Sequence, residues 1–215
     1  MIPEALTLND DALIGYLAAV RRAPDDPKAH DCLGYAFFQR GLVKKALEEF
    51  KTALKLDPSD IHAHNGLGHV YDGLGILDKA TEEYKEATRM SPDNPYFHYG
   101  YGQVLKKTGA LDTALEQYNE ALRLKPDFPE ARYMLGHIYK KMGELDDAIQ
   151  EYREALRLKP DFPEVHYTLG IIYYNKGLLQ ESIHELTEAV RLKPNFGEAR
   201  HYLDIIQKPR DNEES

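Results

Sequence analysis

An all-α fold of stacked helical hairpins is what this sequence predicts, on three observations. A 34-residue period runs down the chain: Gly34, Gly68, Gly102, Gly136 and Gly170 share one column, and Gly41, Gly75, Gly109, Gly143 and Gly177 share another. Between these glycines the apolar residues recur at three and four, the stripe of a helix buried on one face. Each period then closes on a proline (Pro58, Pro92, Pro126, Pro160, Pro194). A fixed period of this length means one supersecondary unit repeated and stacked.

The elements follow in chain order. Residues 9–22 carry Ala12, Tyr16 and Ala19, then Pro24, the columns of a second helix with no first. Met1 to Leu8 would have to fold back to cover Leu13, Leu17 and Val20. Five whole units follow at 27–60, 61–94, 95–128, 129–162 and 163–196. The fourth is the clearest. Ala131, Leu135, Ile138 and Met142 make its first stripe, and Gly143 offers a helix end that tolerates positive φ. Asp146 is expected to cap the next helix, as are Asp78 and Asp112 in the same column. Ile149, Tyr152, Ala155 and Leu156 make the second stripe, and Lys159-Pro160 stops it, because proline lacks a donor and restricts its predecessor. Gly136 and Ala148 are small where the two helices cross. Residues 197–207, with Ala199, Leu203 and Ile206, read as a first helix alone that caps the stack. The charged stretch 208–215 reads as a disordered tail.

Leu135-Gly136-His137-Ile138-Tyr139, then Ala148, Tyr152, Ala155 and Pro160, resemble the tetratricopeptide repeat, and the resemblance covers nearly all of residues 9 to 207. The family's usual early tryptophan is here His30, His64, His98, Arg132 and His166, and Tyr101 and Leu105 depart from the pattern in the third unit. The resemblance implies a right-handed α-solenoid whose concave face, built from the first helices, binds extended peptides or helices of partner proteins.

Composition narrows the function classes. A net charge of −9 opposes nucleic-acid binding, which needs a basic footprint. No apolar run is long enough to span a bilayer. Met1 to Asp11 lacks the basic-then-apolar order of a signal peptide. Cys32 is the single cysteine, which suits a reducing compartment, and a cytoplasmic location is expected.

Several motifs reduce to packing. Gly66-Leu67-Gly68 and Gly100-Tyr101-Gly102 open like a dinucleotide-binding loop, but the third glycine and the preceding strand are missing. Among nine histidines, His62, His64 and His69 are the densest group, yet no cysteine or carboxylate completes a ligand set. The column His30, His64, His98 and His166 reads as packing in place of tryptophan. No nucleophile, base and orienter come together, so neither enzyme activity, cofactor nor metal is expected.

The variable columns of the first helices carry the functional expectation. They hold Tyr35, Asn65, His69, Tyr99, Gln103, Lys106, Lys107, Tyr133, His137, Lys140, Lys141, Tyr167, Tyr174 and Asn175. Tyr99, Tyr133 and Tyr167 form a row that offers contact area with polar tips. Lys106, Lys107, Lys140 and Lys141 occupy equivalent positions on adjacent units, with Glu130 and Glu164 at the opposite edge. Tyr35 and Gly66 stand where chaperone-tail-binding repeats carry asparagine, so that subclass is set aside, and Asn65 alone makes no asparagine ladder. The expectation is a non-catalytic scaffold that holds an extended or acidic segment of a partner protein. The alternative is a structural scaffold that self-assembles into homo-oligomers through its terminal helices.

Overall fold

The computed structural model describes residues 10–207, and every element among them is a helix. The contacts divide the chain into two compact units at Pro126/Asp127, where the repeat alone predicts one continuous domain. The first unit holds α1 (Asp10–Arg22) and three hairpins: α2 (Pro27–Gln39) with α3 (Val43–Leu56), α4 (Ile61–Gly73) with α5 (Leu77–Met90), and α6 (Pro95–Thr108) with α7 (Leu111–Leu124). The second holds α8 (Pro129–Met142) with α9 (Leu145–Leu158), α10 (Pro163–Asn175) with α11 (Leu179–Leu192), and α12 (Gly197–Gln207). Met1 to Leu8 and the stretch 208–215 lie outside the described residues.

Each hairpin turns on a left-handed glycine. Gly41, Gly75, Gly109, Gly143 and Gly177 have φ between 71° and 88°, a region costly for residues with a Cβ. The next residue sends its amide back into the first helix, as Leu42 does to the Phe37 carbonyl at 2.9 Å. That backward bond makes Leu42, Ile76, Ala110, Glu144 and Leu178 the residues before each second helix, none with a capping side chain. Asp78, Asp112 and Asp146 therefore do not cap. They sit inside the first turn, where a carboxylate favours the positive end of the helix dipole.

Capping belongs to the first helices of the first unit. Asp26 accepts the Lys28 amide, Asp60 those of His62 and Ala63, and Asn94 that of Tyr96. In the second unit the same column becomes Phe128 and Phe162, which make no side-chain cap. Phe162 packs on Tyr133 with ring centroids 5.1 Å apart, and Phe196, one period on, packs on Tyr167 at 4.9 Å.

The glycine column inside the helices explains the close crossing. A Cβ at Gly34 would lie 2.7 Å from the Phe50 ring, one at Gly136 2.6 Å from Tyr152, and one at Gly170 2.7 Å from Leu186. Gly66 and Gly100 perform the same service for the preceding hairpin, against Phe50 and Tyr84. These rings are fully buried, and their hydroxyls fare differently. The Tyr84 hydroxyl meets His69 Nδ1 at 2.8 Å, whereas that of Tyr152 is buried with no partner among the described residues. An unmet buried hydroxyl costs about 1–3 kcal/mol. Tyr152→Phe should therefore raise stability by about 1 kcal/mol, and Tyr84→Phe should lower it by about as much, because it orphans His69. Urea midpoints of the two variants moving in the same direction would contradict this.

α1 lays Leu13, Tyr16, Leu17 and Val20 half-buried on the core of the first unit, while Ile14 stays 61 % exposed. At the other end α12 buries Ala199 and packs Tyr202, Leu203 and Ile206 beside Leu186 and Phe196.

Candidate functional site

The expected binding residues divide into those spent on the fold and those left outside it. In the first unit most are spent. The Tyr35 hydroxyl donates to the His62 carbonyl at 3.0 Å and accepts from the buried Asn65 Nδ2 at 2.9 Å, tying α2 to α4. The Tyr35 ring stands edge-on to Phe50. His69 lies between Phe38 and Tyr84, and burial holds its pKa below the usual value, against the opposing pull of Asp72. Tyr99 leans on Tyr118, and Gln103 is half-buried beside it on the helix. Lys107 is not a free charge: its Nζ meets Asp72 Oδ1 at 2.6 Å, joining α6 to α4. Lys106 is half-buried and also engaged.

The second unit is more open. Tyr133 touches His137, Tyr152 and Phe162, and Tyr167 touches Phe196 and Tyr202, so both are half-buried with part of the ring outside. Tyr174 packs on Tyr202, and Asn175 is exposed. Lys140 and Lys141 are exposed in the last turn of α8, favourable for a cation at the negative end of the helix. Glu130 and Glu164 do not face them unmatched. Lys159 Nζ reaches Glu130 at 3.2 Å and Lys193 Nζ reaches Glu164 at 3.3 Å, each lysine also lying over the ring of Phe162 or Phe196. The sequence could have shown this, since Lys125, Lys159 and Lys193 share one column, and Lys125 Nζ likewise reaches the Tyr96 hydroxyl at 2.8 Å.

The histidine column is more than packing. His30 Nδ1 donates to Glu49 at 2.6 Å and Nε2 to the Pro24 carbonyl at 2.9 Å. His64 does the same with Glu83 and Pro58, and His166 with Glu185 and Pro160. His98 uses Gln117 and Pro92, and Arg132 reaches Glu151. Carbonyls and carboxylates only accept, so in His30, His64 and His166 both ring nitrogens can donate only as imidazolium. For His30 and His166 burial works against protonation, but the carboxylate and carbonyl outweigh it and the pKa rises. For His64 the Glu83 hydrogen bond is the largest influence and raises it. With both nitrogens occupied these histidines have no coordination position to spare. Among the described residues no group of histidine, cysteine and carboxylate side chains is arranged to hold a metal, and no helix is long and apolar enough to cross a membrane.

A cleft of about 860 Å³ opens along α9, lined by Arg132, Arg153, Arg157, Tyr173 and Lys176. Three of its four cations are matched by Glu151, Glu154 and Asp146, and it contains none of the expected binding residues.

Comparison with known proteins bears on this arrangement. A family model described as TPR repeat matches residues 34–75, 74–109, 102–143 and 136–177, and one described as tetratricopeptide repeat matches 163–196. The fold is similar to the crystal structure of MamA, at 26% identity and a TM-score of 0.68, over 75% of this chain and 95% of that one. It is similar to YrrB, described as a TPR protein with an unusual peptide-binding site, at 24% identity and 0.69, over 89% and 98%. It is also similar to TTC0263, a thermophilic TPR protein of Thermus thermophilus, at 24% and 0.66, over 84% and 98%. A search of the curated proteins returned no match.

Proposed function

The chain belongs to the tetratricopeptide-repeat family, whose members mediate protein–protein interaction, and from that premise we propose a non-catalytic scaffold that holds an extended acidic segment of a partner on its first-helix faces. The observation that carries the acidic specificity is in the second unit. Lys140 and Lys141 are exposed at the end of α8, while Glu130 and Glu164 on the same helix faces are neutralised by Lys159 and Lys193. Lys140 and Lys141 thus present two adjacent exposed cations in a chain of net charge −9. Tyr133 and Tyr167 supply half-buried rings for a peptide's apolar side chains.

The test uses labelled hexaglutamate and fluorescence anisotropy. Binding should weaken as salt rises, because the screening length falls from about 10 Å at 0.1 M to about 3 Å at 1 M. Lys140→Glu with Lys141→Glu should lower affinity at least tenfold at 0.1 M salt with the helical circular dichroism unchanged, since neither side chain packs in the core. Affinity retained by the double variant would sink the reading.

Self-assembly through the terminal helices is the second reading, and one residue weighs against it. A second copy would have to seat Tyr16 of α1 on α12 as Tyr152 seats on Gly136. One period beyond Gly170 the column holds Asp204, a carboxylate with a Cβ where the ring-seating column has glycine. The mass by light scattering should stay that of one chain across concentration, and a rise with concentration would reverse the choice between the readings.

A further inference from the structure

Asp31 on α2 is 9 % exposed, and its Oδ1 is fully buried with no hydrogen-bond partner among the described residues. Buried carboxylates are normally paired, because an uncompensated one costs several kcal/mol. The obvious local partner is not used: Lys28, one turn earlier on α2, is exposed and forms no ion pair among the described residues. The group that acts on Asp31 across the seam is instead a second carboxylate, Asp60, at the start of α4.

The repeat shows what normally fills this place. One column holds Asp31, Asn65, Tyr99, Tyr133 and Tyr167, and the column that meets it from the next hairpin holds Asp60, Asn94, Phe128, Phe162 and Phe196. In the second unit these columns form the ring pairs Tyr133–Phe162 and Tyr167–Phe196. Between α2 and α4 the same seam carries two carboxyl groups and no ring. Their neighbours do not relieve them: the Tyr35 hydroxyl donates to the His62 carbonyl, and the Asn65 amide donates to Tyr35. Asp60 Oδ1 is committed to the amides of His62 and Ala63, leaving its other oxygen open as an acceptor. What the seam lacks is a donor with positive charge.

We infer that the α2–α4 seam, formed by Asp31 and Asp60 and bordered by Tyr35 and Asn65, is a binding site for a cationic side chain, lysine or arginine, of the partner segment. The inference rests on the reading of the first-helix faces as the partner-binding surface. It adds that the partner offers a basic residue to the first unit. A guanidinium or ammonium group there would donate to both carboxylates, and charge-assisted bonds of this kind are the strong ones. The asymmetry would orient the segment on the first unit.

The experiment measures labelled hexalysine binding to the full chain by fluorescence anisotropy at about 0.1 M salt. Three proteins are compared: wild type, Asp31→Asn, and Asp78→Asn. Asp78 is exposed in the first turn of α5, so its variant removes the same charge from the surface without touching the seam. Asparagine keeps the shape of Asp31, so the fold is expected to be retained, and circular dichroism checks it. Asp31→Asn should weaken hexalysine binding at least fivefold, and Asp78→Asn less than twofold. A loss below fivefold for Asp31→Asn, or an equal loss for Asp78→Asn, overturns the site in favour of general attraction to an acidic chain. Hexaglutamate binding reports on Lys140 and Lys141 independently, so failure of one reading is distinguishable from failure of the other.

Discussion

Asp31→Asn is expected to raise the free energy of unfolding by about 2–4 kcal/mol at pH 8 and to leave it nearly unchanged at pH 4. Burial, and then the charge of Asp60, push the Asp31 carboxyl up from its ordinary 3.8 to about 7. Between those two values the folded chain holds a proton that the unfolded chain has released. Stability therefore falls as the pH rises through that window, at a slope of up to about 1.4 kcal/mol per unit. Asparagine has no proton to lose, so the variant lacks that slope. Below pH 4 both states of the wild type are protonated and the difference closes.

Other groups set the background. His30, His64 and His166 have raised values, so their contribution is full below 6.5 and is lost as the pH rises through the folded values. His69 is held neutral by burial, so its contribution is present above 6.5 and is lost as the pH falls. These terms are shared by wild type and variant and cancel in the difference. Chemical unfolding of both proteins at pH 4, 6 and 8 checks the result. A constant offset between the two curves would show that Asp31 is ionised throughout. A gain in stability together with a loss of hexalysine binding would mark Asp31 as a residue kept for recognition at the expense of stability.

The fold was legible because packing repeats. A glycine that admits Tyr152 must recur wherever a ring recurs, and a glycine turning at positive φ must recur wherever a hairpin turns. Period and residue type together identify both. The caps of the second helices are not legible, because sequence alone does not tell which residue ends the turn. The backward amide bond from Glu144 to the Tyr139 carbonyl moves Asp146 one turn position into the helix. The binding face was only partly legible. Tyr35, Asn65 and His69 occupy the expected columns, yet their polar groups are consumed by one another and by Tyr84, a pairing between hairpins that no spacing reveals. Lys107 and Asp72 are separated by 35 residues, one more than the period, so their pairing was visible in principle as a diagonal between neighbouring repeats. Asp31 stands out only in the structure, because an aspartate on a helix is ordinary until its burial and its missing partner are known.

The largest mechanical effect is expected at Phe50. This ring is fully buried between two hairpins, with Gly34 on one side and Gly66 on the other. Phe50→Ala should cost about 3–5 kcal/mol, the transfer of the ring plus the cavity it leaves. Gly66→Ala should also destabilise, by about 1–3 kcal/mol, because its new Cβ would lie 2.4 Å from the Phe50 ring. The ring cannot retreat from it, since the opposite side would press on Gly34, where a Cβ would lie 2.7 Å away. The two effects are not independent. The three nearest neighbours of a Cβ at Gly66 are all Phe50 ring atoms, so removing the ring removes the clash. There alanine keeps only its benefit over glycine within a helix, about 1 kcal/mol. The double variant should therefore be more stable than Phe50→Ala alone, and the coupling energy should reach about 2–4 kcal/mol. Denaturant unfolding of the four proteins measures the cycle. Additive costs would mean that the ring is free to move aside, and that the glycine at position 66 serves the helix backbone rather than the seam between hairpins.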